Sequence, residues 1–408
     1  MNCRHCKKKL DHVFIDLGSS PPSNSYLSEK TLIEAEKWYP LKVLVCDNCW
    51  LVQTEDFVGV NEMFSQDYAY FSSFSSSWLN HAKEYVSHMI ERFNLNDKSN
   101  IVEVAANDGY LLQFVQDQNI PCYGIEPTHG TAMAARDKGI EIIEEFFGER
   151  LAHKLIKQGK GADLTAANNV LAHVPDINDF VKGFSIILNK EGVATFEFPH
   201  ILNLVMFNQF DTIYHEHYSY LSLISVIEVF QSNGLSVFDV DEIPTHGGSL
   251  RVYAQRSDTG LRHISEKVVE LKSREIETGL ASLKFYEDFQ KSAEEIKLNF
   301  IDFLIKAKVN KKKVVAYGAA AKGNTLMNFA GIRSDLIQYV VDKNPAKQGK
   351  FMPGSRIPIE NEKLLIADNP DYVVIFPWNL KKEVTSQLKY IKNNGGDFVT
   401  FIPSLEIF

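Results

Sequence analysis

The chain has 408 residues, of which 45% are hydrophobic and 23% are charged, and its formal net charge is −9. This length predicts two or three domains, and the composition is that of a globular protein. The negative charge argues against nucleic acid or an anionic membrane as the main partner. The N-terminus has no apolar core of the signal-peptide type, and no run of about 18 apolar residues predicts a membrane span. We therefore expect a cytoplasmic protein of several domains.

Four of the five cysteines form two Cys-x2-Cys pairs, Cys3 with Cys6 and Cys46 with Cys49. Each pair can place two thiolates on one metal ion, and two pairs complete the tetrahedral set that Zn²⁺ prefers. Because four thiolates leave no open coordination position, such a zinc ion would stabilise the fold and take no part in chemistry. A redox pair and four unligated thiols are the alternatives. Cys122 stands apart from them and is expected to be a buried thiol.

An aromatic and hydroxyl-rich segment at residues 67–73 precedes a predicted amphipathic helix at 78–93. The segment contains Tyr68 and Tyr70. Their phenol groups either pack between domains or reach a ligand, and the sequence leaves both interpretations open.

From residue 100 the chain alternates between strands, turns and helices. The pattern predicts a buried strand at 101–104, a tight turn at 105–109 and a helix that starts at Tyr110. A second strand ends with the acid Glu126, and a further strand at 192–199 carries polar groups at its C-terminal end. This alternation indicates a parallel sheet, in which a ligand lies beyond the carboxyl ends of the strands.

Two cofactors suit this edge of a sheet, and the residues favour S-adenosylmethionine over NAD. A dinucleotide requires a Gly-x-Gly-x-x-Gly turn, but only Gly109 remains here, and Asn107 and Asp108 would obstruct a pyrophosphate. S-adenosylmethionine has no phosphate and needs an acid near its positive charges and a second acid for its ribose hydroxyls. Structural acids at the strand ends are the alternative. The predicted cofactor-binding residues are Glu103, Asn107, Asp108, Gly109, Glu126 and Asn169.

The last third of the chain predicts a second α/β domain. Residues 255–313 are charged, with apolar residues near helical spacing, which predicts long helices between two sheets. Predicted strands at 313–317, 337–342 and 372–376 and a helix at 325–330 follow. The first strand ends in a turn of small residues that lacks the glycine triplet of nucleotide-binding proteins. Lys322 in this turn could hold a phosphate at a helix N-terminus, or the turn is purely architectural.

The segment at 210–218 is the most informative part of the chain, because it gathers phenols, imidazoles and a carboxylate suited to proton transfer near pH 7. Its central residues are Tyr214, His215, Glu216 and His217. If the segment is extended, His215 points away from the others, so we expect a structural role for it. A polar network at a domain boundary and a His/Glu metal site are the alternatives for the cluster.

Together these motifs resemble the sugar C-methyltransferases that add a branch methyl to nucleotide-linked deoxysugars. The resemblance spans the chain and rests on the cysteine pairs and on residues 68–73, 107–112, 169–176, 210–217, 246–251, 317–326 and 347–354. One departure is Ala106, where such enzymes often carry a small polar or thiol residue. The resemblance implies an α/β protein with three domains. They are a zinc-binding domain at 1–70, a class I Rossmann-like methyltransferase domain at 71–262, and a Rossmann-like α/β domain at 263–408 that contributes to sugar-nucleotide binding.

The resemblance also implies that a methyl group is added to the carbon next to a ketone, C-3 of a 4-keto-6-deoxy sugar, through an enolate. His217 is the predicted base, since a neutral imidazole is available at pH 7 and matches the family position. Glu216 would orient an imidazole or hold a sugar hydroxyl. Tyr214 and Tyr68 would donate to the enolate oxygen or position the ring, and His173 is a second candidate for either task.

The substrate is expected to be a thymidine or guanosine diphosphate sugar, bound by a protein that is most simply a monomer. Arg251 could make bidentate contacts with phosphate or pair with an acid of its own domain. An O- or N-methyltransferase and a zinc-ribbon binding module with an inactive methyltransferase fold are the competing interpretations. The predicted substrate-binding residues are His246, Ser249, Arg251, Lys322 and Asn324.

Overall fold

The computed structural model describes residues 1–55 and 71–408, and the strands in these ranges form three sheets. Tyr68 and Tyr70, both singled out above, lie outside the described residues. Within the described ranges, no helix is both long and apolar enough to cross a membrane.

The N-terminal unit is an antiparallel sheet that borrows its last strand from a distant part of the chain. Its order is β1 (His12–Ser20), β2 (Tyr39–Val45), β3 (Val52–Thr54) and β9 (Ser219–Tyr220). In this register Gln53 of β3 lies opposite Ser219 of β9. The acid–base segment at 210–218 therefore leads directly into a strand of the N-terminal sheet.

The central sheet has seven strands, and only β11 runs antiparallel to its neighbours. The other six strands are parallel to one another, which is the class I Rossmann-like architecture expected from the sequence. The order is β6 (Ile142–Ile143), β5 (Cys122–Ile125), β4 (Ile101–Val104), β7 (Ala162–Asn168), β8 (Leu188–Pro199), β11 (Ser249–Arg256) and β10 (Leu235–Ile243).

Helices cover both faces of the central sheet because successive strand residues alternate between two apolar clusters. Ile101 packs with the helices of one face, and its neighbour Val102 packs with those of the other. The first face carries α1 (Ser76–Phe93), α2 (Leu112–Gln116) and α3 (His129–Asp137). The second face carries α4 (Glu149–Lys157), α5 (Ile177–Ile187) and α7 (Leu223–Ser232). The short helix α6 (Ile201–Met206) lies between β8 and the 210–218 segment in the chain.

The helix predicted at 78–93 is confirmed as α1, which begins two residues earlier than predicted. The hydroxyl of Ser75 accepts a hydrogen bond from the backbone N–H of Trp78 at 3.3 Å. This side-chain cap satisfies one of the free N–H groups at the start of the helix, and the cap therefore sets the helix start.

The C-terminal sheet is parallel except for its last strand. Two long helices connect it to the central sheet, as predicted: α8 (Glu266–Thr278) and α9 (Phe289–Val309). The strand order is β14 (Ile359–Glu360), β13 (Val340–Val341), β12 (Val314–Tyr317), β15 (Tyr372–Ile375), β16 (Asp397–Thr400) and β17 (Glu406–Ile407), and the helices are α10 (Ala321–Ala330), α11 (Leu364–Asp368), α12 (Lys381–Gln387) and α13 (Lys389–Asn393).

One apolar cluster joins the N-terminal sheet to the C-terminal domain. Phe14 of β1 stacks on Phe289 of α9, with ring centroids 4.7 Å apart. The backbone N–H of Leu27 also donates to the carbonyl of Phe351 at 3.0 Å. These contacts place the N-terminal loop at 21–36 next to the C-terminal domain and above the carboxyl ends of the central strands.

Candidate active site

The three sheets meet around one cavity of about 440 Å³. It lies at the carboxyl ends of β4, β5 and β7, where the sequence predicted a ligand. The central sheet contributes Glu126, the N-terminal loop contributes Asn24, and the start of α10 contributes Lys322. His217 of the acid–base segment lines the same cavity.

The turn after β4 has an unusual backbone and packs closely against α3 and the segment that follows it. Ala105, Asn107 and Gly109 have positive φ angles of 61°, 50° and 74°. A Cβ atom on Gly109 would lie 2.3 Å from Ile140 Cδ1, so this position requires glycine. The two non-glycine residues in this conformation cost free energy, and such strain is found most often at functional sites.

Glu126, directly after β5, is held by two backbone N–H groups. Asn107 donates to Oε2 and Thr128 donates to Oε1, each at 2.9 Å. Burial raises the pKa of Glu126, and these hydrogen bonds oppose that effect. A carboxylate fixed in this way at the end of the second strand has lone pairs left to accept from the two hydroxyls of a ribose.

A second group in this part of the cavity is a buried amide. Asn168, at the end of β7, is 7% exposed and lines the cavity. Neither its amide oxygen nor its amide nitrogen meets the geometry of a hydrogen bond with a described residue, although the Tyr110 hydroxyl lies close enough to act on it. The amide therefore has donor and acceptor capacity for a bound polar molecule. With Glu126, it makes this part of the cavity fit S-adenosylmethionine.

The structure brings three of the six predicted cofactor-binding residues to the cavity, namely Asn107, Glu126 and Asn169. Glu103 is completely buried outside the lining, and burial raises its pKa well above the ordinary value. Asp108 accepts from the backbone N–H of Ser73 at 3.3 Å. Glu103, Asp108 and Gly109 thus shape the turn from outside the cavity lining, and a direct cofactor contact by them stays a prediction.

The hydrogen-bond partners of its two ring nitrogens hold His217 in one tautomer. Nδ1 lies 2.9 Å from the carbonyl oxygen of Thr212, and Nε2 lies 2.8 Å from the hydroxyl of Tyr214. A carbonyl oxygen can only accept, so Nδ1 carries the hydrogen and Nε2 has the lone pair. The Tyr214 hydroxyl therefore donates to Nε2, and the ring presents its basic nitrogen at the cavity.

The surroundings of His217 keep it neutral. Burial lowers its pKa well below 6.5, and the nearby His173 lowers it further. The His173 and His217 ring centroids are 4.7 Å apart. Burial also lowers the pKa of His173, to about 4. Both rings are therefore neutral at pH 7, the state in which an imidazole can accept a proton.

Glu216 and His215 contact the N-terminal unit, and neither lines the cavity. Asn24 Nδ2 donates to Glu216 Oε1 at 3.1 Å, and Asn24 itself lines the cavity. His215 Nε2 donates towards the carbonyl oxygens of Tyr39 and Pro40 at 3.3 and 3.2 Å. The segment forms a turn at 215–216 and is not extended, and the turn directs His215 towards β2.

His246 and Lys322 are the two predicted substrate-binding residues that line the cavity. Lys322 Nζ donates to Asn379 Oδ1 at 2.9 Å and lies 4.0 Å from the ring centroid of Trp378. Burial lowers the pKa of Lys322 to about 8, so it stays largely charged at pH 7. The His246 ring lies 5.2 Å from that of Trp78, which also lines the cavity.

The other three predicted substrate-binding residues, Ser249, Arg251 and Asn324, lie outside the cavity lining. Arg251 pairs with Glu197 of β8 through Nε at 2.7 Å and Nη2 at 2.6 Å. This pairing is the alternative that the sequence left open, and the carboxylate offsets the cost of burying the guanidinium group. Ser249 Oγ donates to the carbonyl of Thr245 at 2.9 Å. Asn324 is completely buried beneath the start of α10.

The four N-terminal cysteines form one compact cluster. Their Sγ atoms all lie within 4.8 Å of one another, and two of the pairs, Cys3 with Cys49 and Cys6 with Cys46, are 3.5 Å apart. Four sulfurs placed tetrahedrally about 2.3 Å from zinc are separated by about 3.8 Å. The cluster therefore fits Zn²⁺. Gln53 Nε2 donates to Cys3 Sγ at 3.3 Å, as expected of a residue that supports a metal ligand.

Known protein families match successive parts of this chain, and one known protein matches nearly all of it. A zinc binding domain family matches residues 3–64, a methyltransferase domain family matches 78–240, and the family described as the C-methyltransferase C-terminal domain matches 244–403. The chain is 31% identical over 401 residues to C-methyltransferase NovU of Streptomyces niveus, covering 98% of this chain and 95% of NovU. This chain belongs to the C-methyltransferase family. It is an S-adenosylmethionine-dependent enzyme with an N-terminal zinc-binding domain.

Solved methyltransferase structures are similar to part of this C-methyltransferase. Magnesium protoporphyrin IX methyltransferase (ChlM) of Synechocystis PCC 6803 with bound S-adenosylmethionine is 14% identical, with a TM-score of 0.34 over 44% of this chain and 79% of ChlM. An S-adenosylmethionine-dependent methyltransferase of Clostridium acetobutylicum is 10% identical, with a TM-score of 0.35 over 44% of this chain and 92% of that one.

Several cavity residues of the C-methyltransferase were not predicted. Asn24 lies in a turn-rich loop and carries no local signal of its own. Lys347 lies in the 347–354 motif that supported the resemblance, and this motif could have identified it. Asn168 directly precedes the predicted Asn169, so the strand end was recognised but the residue was not.

Because the pKa of the buried His173 is lowered, we expect this C-methyltransferase to lose stability in acid. The pKa of His173 is about 6.5 in the unfolded chain and about 4 in the folded one, so only the unfolded chain takes up a proton between these values. The contribution of His173 to stability is complete above pH 6.5 and is lost as the pH falls towards 4. We expect the difference in unfolding free energy between wild type and His173→Asn to change by about 1.4 kcal/mol from about pH 7.5 to 5.5, measured by urea unfolding. Parallel pH profiles would contradict the buried neutral state.

Proposed function

We propose that this C-methyltransferase acts in the cytoplasm on a nucleotide-linked 4-keto-6-deoxy sugar and adds a methyl group to C-3, next to the ketone, through an enolate. The observation that carries the proposal is that the Tyr214–His217 pair lines the same cavity as Glu126 and Asn168. We also propose the functional division at residues 1–70, 71–262 and 263–408, with the last unit contributing to the binding of the sugar nucleotide.

The chemistry requires a base and a group that stabilises an oxyanion. A carbon that bears hydrogen does not attack a methyl donor until its proton is removed, and a neighbouring ketone makes that proton acidic. The Tyr214 hydroxyl first turns from His217 Nε2 to the ketone oxygen, because Nε2 has one lone pair and cannot accept from two donors at once. Nε2 then takes the proton from C-3, and the resulting His217 cation keeps its Nδ1–H bonded to the Thr212 carbonyl while Tyr214 donates to the enolate oxygen.

The remaining cavity residues would hold the two reactants. S-adenosylmethionine supplies the methyl group when bound. Glu126, Asn168 and Asn169 would bind it at the carboxyl ends of the central strands. Lys322 and Lys347 line the cavity beside the start of α10, where a diphosphate would find cations and helix N–H groups.

The test is proton exchange and methylation followed by NMR in D₂O, with thymidine- and guanosine-diphosphate 4-keto-6-deoxy sugars. We expect deuterium to enter at C-3 without S-adenosylmethionine and a carbon-bound methyl group to form when it is added. A methyl group on oxygen or nitrogen would make the enzyme an O- or N-methyltransferase of the same sugar. A new methyl group without any exchange would remove the enolate step.

The role of Tyr214 gives a sharper form of this test. We expect Tyr214→Phe to keep its affinity for S-adenosylmethionine and to lose about two orders of magnitude in turnover, the usual effect of removing one oxyanion donor. Tyr123→Phe is a matched control, because it also loses one tyrosine hydroxyl, which donates to the Lys160 carbonyl at 2.8 Å and does not line the cavity. Equal turnover of the two variants would leave Tyr214 without a role in the reaction.

A further inference from the structure

Arg4 lies inside the first cysteine pair, and its guanidinium group binds three backbone carbonyls. Nε donates to Tyr218 O at 3.2 Å, Nη1 donates to Pro175 O at 3.2 Å, and Nη2 donates to Thr54 O at 2.7 Å. The side chain is buried, and the residue is 5% exposed. A planar guanidinium with donors in fixed directions sets the spacing of such carbonyls in a way that a flexible ammonium group does not.

These three carbonyls belong to the chain segments that carry the two cavity imidazoles. Tyr218 follows His217 directly, and Pro175 lies two residues after His173. Thr54 ends β3, and its hydroxyl donates to the carbonyl of His217 at 3.1 Å. One buried side chain thus connects the segment with the proposed base, the loop with the second imidazole and the N-terminal sheet.

The other end of Arg4 is connected to the cysteine cluster. Its backbone N–H donates to Gln53 Oε1 at 2.8 Å, and Gln53 Nε2 donates to Cys3 Sγ at 3.3 Å. Zinc with four thiolates carries a net charge of about −2, which would compensate the buried guanidinium. The guanidinium also lies 4.8 Å from the ring centroid of Tyr218, a cation–π contact next to His217.

We propose that Arg4 is a positioning residue for the reaction, through which the zinc centre holds His217 and His173 at their working separation. The zinc centre then contributes to turnover as well as to stability, although it lies outside the cavity. This inference rests on the proposed role of His217. Displacement of a catalytic group by about 1 Å can cost about a hundredfold in rate, so loss of the three carbonyl contacts should affect turnover strongly.

The test compares Arg4→Gln and Arg4→Lys with Leu17→Ala, a change in the buried side of β1 in the same sheet. We expect Arg4→Gln to lower kcat about tenfold to a hundredfold on thymidine-diphosphate 4-keto-6-deoxyglucose, with KM and zinc content near wild type. Arg4→Lys should be intermediate, because an ammonium group cannot hold all three carbonyls. Leu17→Ala should lower Tm with little change in kcat.

A second readout requires no substrate. The ¹⁵N shifts of His217 in the folded enzyme report which ring nitrogen carries the hydrogen. We expect a single Nδ1–H form in wild type and in Leu17→Ala, and a mixture of forms in Arg4→Gln, because the Thr212 and Tyr214 partners are no longer held in place. If His217→Ala kept its turnover, the proposed role of His217 as the base would fail, whereas the ¹⁵N result would still show whether Arg4 holds the His217 ring in place.

Three outcomes would overturn the inference. An Arg4→Gln enzyme with full zinc, normal kcat and a single His217 tautomer would show that the carbonyl contacts do not matter for the site. If kcat fell in proportion to Tm in both Arg4→Gln and Leu17→Ala, Arg4 would be a stabilising residue and not a positioning residue. Loss of zinc from both Arg4 variants would make Arg4 part of the metal site's folding and not a positioning residue.

Discussion

Replacing His217 by alanine should lower turnover by about two to four orders of magnitude and leave the affinity for S-adenosylmethionine nearly unchanged, since this is the usual contribution of a positioned base. The ring lies with Tyr214 and His173, whereas the predicted cofactor residue Glu126 lies on a different element of the cavity. Single-turnover kinetics and calorimetric binding of the cofactor would separate the two effects. Turnover close to wild type would remove His217 from the role of base.

The pH dependence provides a second test of the same residue. The pKa of His217 is well below 6.5, so its neutral form persists where an ordinary histidine would be protonated. We expect kcat to hold as the pH falls through 6.5 and to decline only in more acidic solution. The control is His215→Gln, because His215 donates to β2 carbonyls and does not line the cavity. A decline in kcat centred on pH 6.5 would contradict the low pKa that burial gives to His217.

Removal of zinc should unfold the N-terminal sheet and abolish turnover. A structural zinc in a small domain is worth about 10 kcal/mol or more. The apolar residues of the N-terminal sheet pack into clusters that they share with the other two domains. We expect Cys49→Ser and chelator-treated enzyme to lose zinc, show a much lower Tm and lose turnover. Metal content, circular dichroism and activity are measured on the same samples.

Cys122 is the matched control for the zinc experiment. It is half-buried at the start of β5, and it lies outside the four-cysteine cluster. Cys122→Ser should therefore keep both the metal and the activity. An enzyme that stays folded and active after zinc is shown to be gone would mean that the cluster is dispensable.

Local sequence patterns predicted much of the fold because those elements are determined by nearby residues. The Cys-x2-Cys pairs identify a tetrahedral ligand set by spacing alone, and the structure brings all four sulfurs together. The strand with Glu126 at its end is recognisable because its apolar run and terminal acid are contiguous. The predicted strand at 337–342 was too long, since the regular strand covers Val340 and Val341. Apolar content alone does not report where pairing ends.

Features that depend on distant contacts could not be predicted from the sequence. Nothing in residues 219–220 indicates that they pair with β3 more than 160 positions earlier. The partner of Arg251 is Glu197, whose side chain reaches it only because β8 and β11 are neighbours in the sheet. The helix predicted from 325 begins at Ala321, which places Lys322 in its first turn and directs it to the cavity.

The borrowed strand β9 limits how this enzyme can be recombined with its relatives. The matched families divide the chain between residues 64 and 78 and between 240 and 244, but the hydrogen bonds of β9 cross the first of these divisions. A chimera that exchanges only the first domain would place a foreign β3 beside the native β9. It would also place a foreign first cysteine pair, with its Arg4 position, beside the native 210–218 segment. Chimeras that are designed to change substrate choice should therefore transfer residues 1–55 and 210–222 together.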